Sequence, residues 1–124
     1  MPNKFIFDGR LADAVDLTRR KDKVVATFTL LRNEFAGREE DTDEVKERLV
    51  RCRFTAFGRT AESIAEHTRK GDQLIVESSI RNNDYTANDG VKHYEFNFVV
   101  DRYDFGQYGH EKREIVAARQ AASA

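Results

Sequence analysis

Residues 48–82 change hydrophobic period twice, and this change constrains the fold more than any other feature of the sequence. Residues 48–58 (RLVRCRFTAFG) alternate between two kinds of side chain, as a strand does. Residues 59–70 then carry apolar side chains at helical spacing, and Gly71 follows as a natural helix stop. Alternation resumes over residues 72–82 (DQLIVESSIRN). The sequence therefore predicts a strand, a helix and a second strand in succession.

Three further stretches alternate in the same way and complete the predicted sheet. Residues 3–9 and 23–34 precede the central block, and residues 92–103 follow it. The predicted order is that of an all-β protein with one helix: a five-stranded OB-fold barrel with the helix between strands 3 and 4. Periodicity alone leaves other small barrels open. We expect an OB-fold domain over residues 1–105 and a C-terminal tail over residues 106–124 that is a short helix or disordered.

Composition excludes several classes of protein. No apolar run approaches the roughly 20 residues of a membrane span, and no secretory signal pattern begins the chain. The single cysteine cannot form an internal disulfide, which indicates a reducing cytoplasm. The histidines lack metal-site spacing, the helical pair Ser63 and His67 lacks an orienting acid, and there is no Gly-rich phosphate loop. We therefore expect no metal, no cofactor and no enzymatic activity.

The net charge of −1 conceals a segregation of charge along the chain. Residues 34–47 (EFAGREEDTDEVKE) hold seven acids and two bases, a charge of −5, and subtracting it from the total leaves +4 for the rest. Surface fields act locally, over about 8–10 Å at physiological salt. A basic body with one acidic loop is therefore predicted, and this loop either stays solvated, competes with an anionic ligand or contacts a basic partner.

The predicted strand at residues 48–58 has an unusual second face. Its even-numbered residues form an apolar row suited to a core, whereas its odd-numbered residues include Arg51, Arg53 and Phe57. An ordinary solvent face takes mixed charges and seldom carries so large a ring. Cations beside an exposed aromatic suit a ligand that has both negative charge and flat rings. Taken alone, Phe57 fits a barrel cap equally well, but its phase with the two arginines favours binding.

Four segments, in order along the chain, resemble the bacterial single-stranded DNA-binding protein family. They are NKFIFDGRLADA, ATFTLLRNEF, RFTAFGRTAESIAEHTRKGDQLIVESSIR and YTANDGVKHYEFNFVV. The resemblance covers about residues 3–105, and the third segment is its most distinctive part. It implies non-sequence-specific binding and protection of single-stranded DNA in replication, recombination or repair. It also implies a homo-oligomer, either a dimer or a tetramer.

The resemblance implies a set of DNA-binding residues as well. Phe35, Phe57 and Tyr85 stand where the family places stacking aromatics. Arg51 stands where a further stacking tryptophan is usual, and Arg53 stands where a basic residue is usual. Bases stack on aromatic rings whatever the sequence, with about 1–3 kcal/mol per base, and a planar guanidinium can stack too. Bases that also fit ordinary solvated charges complete the predicted set: Arg32, Arg81 and Lys4.

The chain departs from the family pattern in three respects. It has no tryptophan, its segment 34–47 is strongly acidic, and its last ten residues contain no acid. The acidic C-terminal tip with which the family recruits other proteins is therefore absent, and we expect no recruitment by that route. Two alternatives stay open. One is an OB-fold protein-interaction module of a primosome-like or mobile-element complex, and the other is an RNA-binding OB module.

Overall fold

The computed structural model of the protein describes residues 2–38 and 45–123, apart from the side chains of Phe35, Ala36 and Ser123. The chain folds into eight strands and two helices within these residues. In chain order they are β1 (Phe5–Leu11), β2 (Asp16–Arg20), β3 (Lys23–Arg38), β4 (Val45–Phe57), α1 (Gly58–His67), β5 (Gln73–Asn82), β6 (Tyr85–Thr86), β7 (Lys92–His93), β8 (Phe96–Phe105) and α2 (His110–Ser123).

Five of the strands close into a barrel. β1 pairs with β5 along most of its length and with β3 over its last two residues. β3 and β4 form a long antiparallel pair, and β5 pairs with β8. β8 then meets β4 in parallel, and Thr55 opposite Val99 is their one paired position in the described part of the chain. α1 lies between the third and fourth barrel strands, so the predicted OB-fold arrangement is confirmed.

Aromatic rings fill the centre of the barrel. Phe54 on β4 is fully buried, and its ring centroid lies 5.8–6.1 Å from the rings of Phe5, Phe7, Phe28 and Phe98. These separations are typical of aromatic pairs that pack favourably. The apolar row predicted on the even-numbered positions of β4 therefore does face the core. The odd-numbered positions must face outwards.

Helix α1 ends earlier than its sequence period indicates. It buries Ile64 completely against the barrel, but it stops at His67, short of the end of the predicted range 59–70. Thr68 has already left the helical conformation, and its Oγ1 donates a hydrogen bond to the carbonyl of Ile64. Gly71 has a φ of 87°, which favours glycine. This glycine therefore serves the turn into β5 and does not itself end the helix.

β3 and β4 extend beyond the barrel as a two-stranded arm. The sequence places the ends of these strands at Glu34 and Arg48, whereas the ladder continues until Arg38 lies opposite Val45. Backbone groups that pair across the arm satisfy one another even where the side chains are polar. Side-chain alternation therefore underestimates the length of this hairpin. The centre of the acidic segment, residues 39–44, lies outside the described residues.

The last predicted strand, residues 92–103, is interrupted. Its first part, β7, pairs with β6 in a small separate hairpin, and β8 begins only at Phe96. Alternation places Tyr94, Phe96, Phe98 and Val100 on one side of this predicted strand, but only the second half of that row is buried or half-buried. Phe98 is half-buried, whereas Tyr94 and Phe96 are 75% and 68% exposed. The partner strand β5 ends at Asn82, opposite Phe96, so no apolar side chain remains there to cover the ring.

The segment after the barrel is attached to the start of β5 and then forms α2. The amide of Gly106 donates to the carbonyl of Gln73, and the amide of Gly109 donates to Oδ1 of Asp72 at 2.7 Å. A Cβ atom on Gly109 would lie 2.4 Å from the carbonyl carbon of Gly71, so only glycine fits this contact. The division into domain and tail at residue 105 stays a prediction.

Within the described residues, neither helix has the length and apolar character needed to cross a membrane.

Candidate nucleic-acid interface

The outward face of β4 carries two exposed arginines and a half-exposed phenylalanine. Arg51 and Arg53 are exposed, and Phe57 is 51% exposed. Side chains two residues apart on a strand share a face and are about 7 Å apart along it. Among the residues that the structure describes, none forms a hydrogen bond or ion pair with either arginine side chain. Both guanidinium groups are therefore available to an external anion.

The residues directly across from this row on β3 are uncharged. Leu31 lies opposite Arg51, Thr29 opposite Arg53, and a further pair matches Val25 with Phe57. Opposite residues of an antiparallel pair point to the same face of the sheet. The arginines are thus flanked by short or apolar neighbours and face no carboxylate across the ladder. Positive charge on this face is not neutralised by the neighbouring strand.

A cleft of about 440 Å³ opens beside the arginine row, between β4 and β8. The two strands separate on one side of the pair that joins them, and their side chains then form opposite walls. Arg51 and Arg53 belong to the β4 wall, while Phe96 and Asn97 belong to the β8 wall. The cleft therefore places cations on one side and an exposed aromatic ring on the other.

The floor of this cleft is apolar and its rim is polar. Cys52 and Phe98, both half-buried and packed against the core, form the floor. Burial raises the pKa of the Cys52 thiol, so the floor carries no charge at neutral pH. Asn83 and Glu95 lie at the rim. A flat, uncharged ring suits the interior of such a cleft better than a phosphate does.

The β6–β7 hairpin borders the cleft and holds Tyr85 in a defined orientation. The Tyr85 ring, 45% exposed, stacks on His93 with centroids 4.9 Å apart and an interplanar angle of 11°. Its hydroxyl donates to Oε1 of Glu95 at 3.3 Å. The negative charge of Glu95 raises the pKa of Tyr85, which keeps the phenol protonated as a donor. The predicted stacking residue is thus fixed beside the cleft, with one side already occupied by an imidazole.

Two of the other predicted bases are engaged with carboxylates. Arg32 Nη1 lies 3.5 Å from Oδ2 of Asp8, and its Nε lies 3.3 Å from Oε1 of Glu34. Lys4 Nζ lies 2.8 Å from Oε1 of Glu77, and its hydrogen bond lowers the pKa of that carboxyl. These two bases lie apart from the β4 row. Each would have to exchange its carboxylate partner for a phosphate in order to bind DNA.

The structure separates the remaining two predicted residues from the centre of the row. Arg81 is exposed on β5 and lies opposite Asn97, which lines the cleft, so it stands one strand away from the β8 wall. Phe35 pairs with Glu47 in the β3–β4 arm, and its side chain lies outside the described residues. The structure thus brings Arg51, Arg53 and Phe57 together on one strand, with Tyr85 nearby on the hairpin.

The sequence did not identify Phe96 as a site residue. The alternation of residues 92–103 places Phe96 on the same side as Tyr94 and Phe98, and periodicity does not tell whether that side is covered. A signal was present in the partner segment, because β5 ends with Ile-Arg-Asn and offers no apolar residue beyond Ile80. Where one strand of a pair turns polar, an aromatic continuing on the other is a candidate for exposure.

Comparison of the sequence with protein families and with individual proteins gives matches that agree with one another. The model of the single-strand binding protein family matches residues 2–106. A relative from Clostridium perfringens, named single-stranded DNA-binding protein, is 37% identical over 105 residues, which are 83% of this chain and 65% of the relative. A relative of the same name from Xylella fastidiosa is 30% identical over 99 residues, 80% of this chain and 60% of the relative. The chain thus spans less than two thirds of these relatives.

A solved structure shares the fold. It is described as a Plasmodium falciparum SSB complex with ssDNA, and it superposes with a TM-score of 0.70 at 24% identity. The match covers 86% of this chain and 97% of that one. Nearly all of the solved chain therefore has a counterpart in the barrel described above.

Proposed function

The chain belongs to the single-strand binding protein family, and from that premise we propose that it binds single-stranded DNA without sequence preference and protects it in replication, recombination or repair. The observation that carries the proposal is the outward face of β4, where two arginines without a partner among the described residues share a face with a half-exposed phenylalanine. The single cysteine, half-buried as a thiol, needs no oxidising compartment, and we place the protein in the cytoplasm.

Two kinds of contact supply the binding free energy in this proposal. Arg51 and Arg53 neutralise phosphates and release the counterions that the strand had condensed, which makes affinity fall as salt rises. Phe57 and Tyr85 offer ring faces on which bases stack. Neither contact reads the edge of a base, so neither carries sequence information. The process is an equilibrium in which no covalent bond is made or broken, and we propose no catalysis.

We further propose that the working unit is a homo-oligomer. β1 pairs with β5 from Phe5 to Arg10, whereas on its other edge the described residues pair only at Arg10 and Leu11. A free strand edge presents unpaired backbone groups that favour pairing with another chain. Ile6 on this strand is 65% exposed, which adds apolar surface beside the free edge. A second copy that pairs with β1 would satisfy the edge and cover the isoleucine together.

The test is fluorescence anisotropy with a labelled oligo-dT, titrated at about 50 and 200 mM salt. We expect tight binding at the lower salt and clearly weaker binding at the higher. Titrations with oligo-rU and with a DNA duplex of equal length run in parallel. A double variant, Arg51→Ala with Arg53→Ala, removes both charges of the proposed site, and we expect it to bind oligo-dT more weakly than the unmodified protein at the lower salt concentration.

Three results would contradict the proposal. Oligo-dT that fails to bind at low salt would show that the fold serves another purpose. Duplex that binds as tightly as the single strand would show that charge alone attracts DNA. Tighter binding of oligo-rU than of oligo-dT would assign the site to RNA.

A further inference from the structure

We propose that the cleft between β4 and β8 is a nucleobase slot, in which one base of the bound strand stacks on Phe96 while its phosphates follow Arg51 and Arg53. The inference rests on the proposed function and adds to it a specific pocket and a residue that the resemblance to the family did not single out. It begins from the exposed ring of Phe96. Covering an exposed phenylalanine ring with another apolar surface is favourable because it removes the ring from water.

Phe96 is left without cover in the free protein. It is 68% exposed at the start of β8, and its ladder partner Asn82 is polar. Its ring takes part in none of the close ring pairs that the described aromatics form. Because Phe96 belongs to the wall of the cleft, a flat ligand that enters the cleft can cover it.

The opposite wall suits the second face of the same ligand. Arg51 carries a planar guanidinium that stacks on aromatic rings and, in the described structure, has no carboxylate partner. The cleft volume of about 440 Å³ falls within the range of roughly 300–1,000 Å³ that small-molecule sites occupy. A base therefore has room to enter with Phe96 on one side and the guanidinium on the other.

The polar side chains of the cleft tolerate any base. Asn97 on the β8 wall and Asn83 at the rim each carry an amide that both donates and accepts hydrogen bonds. Rotation of these amides lets them match the donor and acceptor pattern of different base edges. The slot consequently accommodates a base without selecting one, which agrees with binding that has no sequence preference.

The charges around the cleft determine which way the strand lies. Glu95 is on the hairpin side of the rim and repels phosphate, while Arg51 and Arg53 attract it from the β4 side. The floor of Cys52 and Phe98 is uncharged. The backbone of the strand therefore lies on the β4 side of the rim, away from Glu95, and the base enters the cleft with its two faces towards the two walls.

The first experiment separates bases from phosphates. Phe96→Ala, Phe96→Leu and Phe96→Tyr are titrated with oligo-dT and with an abasic oligonucleotide of the same length and charge. We expect Phe96→Ala to weaken oligo-dT binding roughly 5- to 150-fold, the equivalent of one lost stacking contact. Phe96→Leu should lose nearly as much, Phe96→Tyr should bind like the unmodified protein, and abasic affinity should not change. Because Phe96 is mostly exposed, thermal unfolding of the variants should stay close to that of the parent.

The control is Tyr108→Ala. Tyr108 is 45% exposed and follows the end of β8, whereas Phe96 begins that strand, so the two rings lie at opposite ends of it. We expect no change in oligo-dT affinity for the control. If Phe96→Ala binds oligo-dT as well as the parent does, or loses affinity equally for the abasic strand, the base slot is wrong.

The second experiment uses the absence of tryptophan from the chain. Phe96→Trp introduces a single tryptophan into the cleft, which can be excited separately from the tyrosines, and Tyr108→Trp places one at the other end of β8. We expect saturating oligo-dT to quench the first strongly and the second little, because a base stacks only on the first. Equal quenching would overturn the slot. Failure of the unmodified protein to bind any oligonucleotide would instead overturn the proposed function, and with it the slot.

Discussion

Single residues on β4 separate charge from stacking in the binding surface that we propose. Arg53 and Phe57 lie on the same face of one strand, four positions apart, and in this proposal they contact different parts of a nucleotide. The guanidinium of Arg53 binds through charge, so its contribution depends on salt, whereas the ring of Phe57 binds through contact with a base. Variants of the two residues consequently measure the electrostatic and the stacking contributions to the binding affinity separately.

We expect Arg53→Ala to lower the slope of log affinity against log salt by about one unit, because one phosphate contact is lost. Phe57→Ala should weaken binding with little change in that slope. Anisotropy titrations over a series of salt concentrations measure both quantities. The matched control is Arg113→Ala, which removes an exposed base from α2 and should leave affinity and slope unchanged. Equal changes in slope for the Arg53 and Phe57 variants would contradict this division.

At the scale of elements, the sequence predicted those features that depend on a difference between two faces. The apolar row of β4 and the buried Ile64 of α1 were predictable because each element has one face against the core and another face in solvent. The exposure of Phe96 was not predictable, since it depends on where the partner strand ends. The length of the β3–β4 arm was not predictable either, because backbone pairing maintains it without an apolar face.

Asp72 joins three elements and provides an element-scale prediction. Its side chain is buried, and its two oxygens accept the amides of Arg69, after α1, and Gly109, before α2, at 2.9 and 2.7 Å. We expect Asp72→Ala to lower the free energy of unfolding by about 1–3 kcal/mol for each buried amide that loses its acceptor. Urea denaturation measures the change. Asp101→Ala, which removes an exposed acid from β8, should cost little. Equal midpoints for the two variants would show that Asp72 does not hold the elements together.

At the scale of the whole molecule, we expect the free edge of β1 to determine how copies assemble. We expect sedimentation to give a mass that is a multiple of the 14.3 kDa chain. Ile6→Asp should shift the equilibrium towards the monomer, because it replaces exposed apolar surface beside the free edge with a charge. The control Val91→Asp changes a side chain that is 52% exposed between β6 and β7, and it should not alter the mass. A parent protein that sediments as a monomer at every concentration would exclude assembly through β1.

The position of the arginine row on the outer wall of the barrel has a further consequence, for how a strand arrives. A tunnel admits a polymer only from one of its ends, by threading. The row and its cleft lie on the outside of the barrel, so a strand can be laid onto them sideways at any point along its length. A closed circle and a short gap flanked by duplex then offer the same landing place as a strand with free ends. If the chain binds DNA as proposed, we expect the time needed to cover exposed DNA to depend on the length that is exposed and not on the distance to the nearest end.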